Sequence, residues 1–107
     1  MAPEPHPLVD LAALTHEQLE PLVGEQFHVQ RSPEAGFPLT LTEAKKLGAA
    51  RPGQRAPFSL IFRPTDPQFH APQQIYSLVN PRIGRLDLFL VPIRPDSSGA
   101  RFEAVFT

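Results

Sequence analysis

Proline occupies 14 of the 107 positions in this chain, and its spacing limits the fold more than any other feature. Each proline fixes φ and removes a backbone donor, so long helices are broken. Strands must open or close where that donor is not needed. Met1-Ala2-Pro3-Glu4-Pro5-His6-Pro7 alternates proline and reads as an extended, mobile tail. Most of the remaining prolines punctuate: Pro21 cuts a helix short, and Pro57, Pro64, Pro81, Pro92 and Pro95 bound strands or shape turns.

Between these marks the period is mostly two. Phe27 and Val29 share one face of a segment over Glu25 to Gln30, and Phe37, Leu39 and Leu41 share one face of the next. That second segment runs out in Glu43-Ala44-Lys45-Lys46-Leu47, with a helical turn as the alternative there. Phe58, Leu60 and Phe62 alternate with Ser59, Ile61 and Arg63. Ile75 to Val79 and Leu86 to Ile93 form a further pair around Asn80-Pro81-Arg82-Ile83-Gly84, a type I turn with a bulge by composition. From Leu88 the alternation is lost, as expected of a strand that is central in a small barrel or covered outside by something else. Asp96-Ser97-Ser98-Gly99 makes the last turn, and Phe102, Ala104 and Phe106 line one face of the last strand.

One helix signal stands near the start. Thr15-His16-Glu17-Gln18 has capping-box spacing, Leu14 and Leu19 suit a hydrophobic staple, and Leu19, Leu22 and Val23 should face the core. Before it, Leu8 to Leu14 reads as a strand or turn docked on the core, with an arm packed on another subunit as the sharper alternative. The expected fold is all-β with one short N-terminal helix, a small antiparallel barrel or sandwich of about six strands. Residues 1–13 form an arm and residues 14–107 a single domain. With no tryptophan, phenylalanine supplies much of the core, namely Phe27, Phe58, Phe62, Phe89, Phe102 and Phe106.

In order along the chain stand Leu14-Thr15, Leu22-Val23-Gly24, Phe27, Arg55-Ala56-Pro57-Phe58-Ser59-Leu60-Ile61-Phe62, Tyr76-Ser77-Leu78 and Asn80-Pro81. Ile83-Gly84, Leu88-Phe89-Leu90-Val91-Pro92-Ile93 and Phe102-Glu103-Ala104-Val105-Phe106 follow them. This series resembles the small bacterial family called domain of unknown function 6916, from Leu14 nearly to the C-terminus. The Pro57–Phe62 and Leu88–Ile93 stretches are the most specific parts. The resemblance implies companionship with tail-collar or tail-fibre-like proteins, hence a structural or assembly role, and supplies no catalytic residue. The proline-rich start departs from the family pattern.

Composition removes several chemistries. Without cysteine there is no disulfide, zinc-thiolate site, iron–sulfur cluster or thiol nucleophile. A net charge of -1 draws the chain to neither nucleic acid nor an anionic membrane. Apolar runs fall well short of the roughly 18 residues of a membrane span. The start has no signal-peptide pattern, which makes the cytoplasm the default, with signal-independent export as the alternative.

His6, His16, His28 and His70 lack metal-ligand spacing, and His28 should face solvent. Asp87, set among leucines, reads as an exposed partner of Arg85 or Arg101 across the sheet, and Glu103 reads likewise. Ser97-Ser98-Gly99 is an ordinary hairpin loop with no nucleophile elbow, and the glycines are scattered turn residues. Arg51, Arg55, Arg82 and Arg85 suggest a solvated rim without the exposed aromatics that would stack bases. No catalytic, cofactor or metal residue is therefore assigned. The reading is a non-enzymatic structural or adaptor domain with a protein partner or self-association, and no nucleic-acid, membrane or small-molecule partner. The alternative is a small-ligand barrel or minor enzyme with a concealed pocket.

Overall fold

The computed structural model describes residues 8–32 and 35–107 and shows six antiparallel strands closed into a barrel. They are β1 (Gln26–Ser32), β2 (Ala35–Lys46), β3 (Phe58–Pro64), β4 (Gln74–Asn80), β5 (Gly84–Asp96) and β6 (Gly99–Phe106). One short helix, α1 (His16–Leu19), lies near the N-terminus between 3-10 turns at Leu11–Ala13 and Glu20–Leu22. The expected proline tail, Met1 to Pro7, lies outside the described residues, as do Pro33 and Glu34.

Around the wall the order is β1-β2-β3-β6-β5-β4, with β4 pairing back to β1. The wall is thus two three-stranded meanders joined at the β3–β6 and β1–β4 seams, not one continuous meander. The difference arises at residues 65–73, which cross one end of the barrel instead of turning back as a hairpin. On that path Pro67 accepts from the Ala100 amide (2.9 Å), Phe69 packs on Phe37 (4.5 Å between rings), and Pro72 accepts from the Tyr76 hydroxyl (2.6 Å).

The period-two pattern fills the lumen as its alternation requires. Phe27, Val29, Leu39, Leu41, Phe58, Leu60, Phe62, Leu78, Leu86, Leu88, Leu90, Phe102, Ala104 and Phe106 are all buried there. Phe27 meets Phe62 edge-on at 5.4 Å, and Phe58 stacks on Phe106 at 4.5 Å. Residues 8–22 close the opposite end with buried Leu14, Leu19 and Leu22. In α1 the Thr15 amide donates to Gln18 Oε1 (2.8 Å), the backward reach expected of the box.

Two expectations about the core are corrected. Phe89 does not join the core but is 53% exposed. Leu86, Leu88 and Leu90 hold the inward phase of β5, so the residues between them face out whatever their polarity. Val23 is 41% exposed, because the chain turns extended there (ψ 129°) as the 3-10 turn ends. After Leu41 the chain stays extended, as expected, and forms no helical turn: β2 continues to Lys46 through a bulge between Leu41 and Glu43, where the Thr42 hydroxyl donates to the Ile61 carbonyl (3.2 Å). In β3 the outward Ser59 and Ile61 are buried as well.

Candidate functional site

The titratable residues form scattered pairs and one group at α1, where His16 stands 3.8 Å from Glu17 and 3.7 Å from Glu20, and Lys46 pairs with Glu17 at 3.0 Å. His16 is buried, with Nε2 on the Ala44 carbonyl at 3.0 Å and its ring edge-on to Phe58. His28 is exposed on β1, His70 is exposed in the 65–73 crossing, and His6 is outside the described residues. Among the described residues no three of His, Asp or Glu are grouped to hold a metal. Asp87 is half-buried, accepts from the Ser77 hydroxyl at 2.7 Å, and pairs with Arg85 at 3.4 Å. That partner stands two residues back on the same strand and not across the sheet. Arg101 instead donates to the Arg94 carbonyl at 2.7 and 3.2 Å. At the β5–β6 tip the Arg63 guanidinium grips the Asp96 carboxylate and holds its pKa down at about 2, assisted by the Ser98 amide. Ser98 serves that turn only.

The arginines do not form one solvated rim. Arg51 is exposed, Arg82 pairs with Glu25, and Arg85 pairs with Asp87. Arg55 is half-buried and acts as a clamp. Its Nη1 donates to the carbonyls of Leu11 and Leu14, both at 2.6 Å, and its Nε donates to the Thr107 carbonyl at 3.2 Å. The guanidinium also lies over the Phe58 and Phe106 rings, at 5.6 and 5.5 Å. One side chain therefore ties the N-terminal plug to the end of β6.

An apolar surface feature with shape lies on the outside of β4, β5 and β6. Ile75 and Phe89 are cross-strand partners, 67% and 53% exposed, and Val105 on β6 is 55% exposed. These three border a groove of about 580 Å³ that is also lined by Leu11, Arg55, Asp87, Leu88, Val91 and Glu103. The groove exists because the β5–β6 ladder starts only at Val91↔Glu103 and runs toward the hairpin tip. Below that pair Phe89 and Val105 are not matched. Leu88, Ala104 and Phe106, inward-facing residues, line the groove along with the outward ones, so it reaches into the wall. By contrast, the lumenal space among Phe37, Leu39, Ala71, Tyr76, Leu90 and Phe102 has no room for a water molecule.

Asp87 and Glu103, which the sequence places near each other if their strands pair, both line this groove. The lost alternation after Leu88 signals its apolar wall. Neither the register break at Val91 nor the clamp at Arg55 has a local signal, because both depend on residues brought together by barrel closure.

No helix among the described residues is long and apolar enough to cross a membrane. A family model described as Domain of unknown function (DUF6916) matches residues 14–106. No curated protein and no solved structure matches the chain.

Proposed function

The chain belongs to the family described as Domain of unknown function (DUF6916), and from that premise we propose that it is a non-enzymatic structural or adaptor domain that binds another protein. The observation that carries the proposal is the apolar strip of Ile75, Phe89 and Val105 on adjacent strands, beside a groove of about 580 Å³. Covering the exposed half of each of these side chains contributes about 1 kcal/mol apiece, enough to make the strip the energetic centre of a modest interface. A tail-fibre-like or other multi-protein assembly, as the family resemblance implies, is the setting we assign to it. The small-ligand alternative draws no support from the lumen, where the space beside Tyr76 admits no water.

Light scattering on the purified protein, alone and mixed with the products of neighbouring genes, tests the proposal. The expected result is a complex that the double variant Ile75→Ser, Phe89→Ser weakens at least tenfold. A strict monomer that captures none of those partners overturns it.

A further inference from the structure

Resting on that reading, we infer that the β5–β6 groove takes a short extended peptide segment, apolar along its length and carrying a lysine or arginine opposite Glu103. The main chain sets the first requirement. The N–H and C=O of a residue in an antiparallel strand point to the same side. Arg85 turns its carbonyl toward the β6 side of β5, where the Val9 amide takes it at 2.9 Å. Asp87 and Phe89 share that phase, and the Val91↔Glu103 pair puts Val105 in the matching phase of β6. The main-chain groups of Phe89 and Val105 thus face the groove without a reciprocal pair. Only another extended backbone meets such groups in register. The chain already does this one step below, where Leu8 forms a parallel bridge to Arg85.

Charge sets the second requirement. Three charged side chains line the groove, and two are committed. Arg55 is spent on the carbonyls of Leu11, Leu14 and Thr107, and Asp87 on Ser77 and Arg85. Glu103 is half-buried at the head of the groove, and its carboxylate has no hydrogen bond or ion pair among the described residues. An uncommitted carboxylate between Val91 and Val105 favours a cation on an apolar chain and disfavours a second acid. The volume suits a segment of about four residues and is too small for a folded element.

The test uses the full chain and a blocked five-residue peptide of valine with one central lysine, followed by amide chemical shifts. Saturable binding is expected, with the largest shifts at Phe89, Val91, Glu103 and Val105. Replacing the lysine by glutamate should weaken it at least tenfold. The Glu103→Lys protein should reverse that preference. Methylating alternate peptide amides should also cost tenfold or more, and this arm leaves the protein unaltered. Shifts confined to another face, indifference to methylation, or an unreversed charge preference each overturn the inference. A stable dimer of the chain alone that blocks the groove does so too. If partner capture survives while the peptide arms fail, the docking domain stands and the extended-segment mode falls. Loss of both removes the two together.

Discussion

Arg55 offers the most direct test of how the barrel end is closed. Arg55→Ala removes two bonds of 2.6 Å and one of 3.2 Å, together with the cover on Phe58 and Phe106. Hydrogen bonds to a charged donor contribute about 1.5–3 kcal/mol each when buried. Arg55 is only half-buried and water reaches some of the released carbonyls, so the low end applies to the two short bonds and less to the third. With about 0.5 kcal/mol from the ring contacts, the expected loss is about 3.5–5 kcal/mol. That is a large share of the roughly 5–15 kcal/mol that holds a domain folded. Urea unfolding followed by circular dichroism measures it, and the midpoint should fall by about 1–3 M. Arg55→Lys should recover less than half, because one ammonium cannot span three carbonyls as a planar fork does. Amide exchange should quicken first between Leu11 and Leu22. An alanine variant within about 0.5 kcal/mol of the parent, or a lysine variant equal to it, refutes the clamp.

Three further outcomes follow from the packing. Gly99→Ala should destabilise by more than about 2 kcal/mol, since φ is +108° and a Cβ would stand 2.5 Å from Pro67. Gly53→Ala, at φ +73° with open space around it, should cost only about 1 kcal/mol, and equal losses in thermal melts reject the contact argument. Phe62→Ala should cost about 3–5 kcal/mol and Phe89→Ala under about 1 in denaturant titrations, because the first fills the lumen and the second faces out; the reverse order contradicts the assigned register. The depressed Asp96 pKa stabilises the fold above the ordinary carboxylate range, and that contribution is lost as pH falls from about 4 toward 2. Asp96→Asn should therefore narrow the gap to the parent on acidification, and a gap constant from pH 6 to pH 2 argues against the Arg63 pairing.

Strand identity was legible because inward and outward residues alternate wherever one face is dry. Phe58-Leu60-Phe62 and Phe102-Ala104-Phe106 read as they fold. Where alternation fails, two causes look alike in one dimension. Ile61 is apolar on the outward face of β3 and buried, whereas Phe89 is apolar on the outward face of β5 and exposed. Which of them finds cover depends on the neighbouring strands, and those are set by the crossing at residues 65–73. The groove was half legible for the same reason: its apolar wall is local, but its width comes from a ladder that stops at Val91↔Glu103. Arg55 was hidden because its partners are carbonyls, which carry no residue identity at all.

The ring order has a consequence for how the chain reaches this state. Advancing each strand by three maps β1-β2-β3 onto β4-β5-β6 and each seam onto itself, with the two longest strands, β2 and β5, in matching places. Within each half, pairing joins segments that are neighbours along the chain. At the seams it joins His28 to Val79 and Phe58 to Phe106, residues roughly 50 apart. Closing the two seams therefore carries the largest loop-entropy cost, and it is these pairings, not any single hairpin, that raise the contact order of the chain.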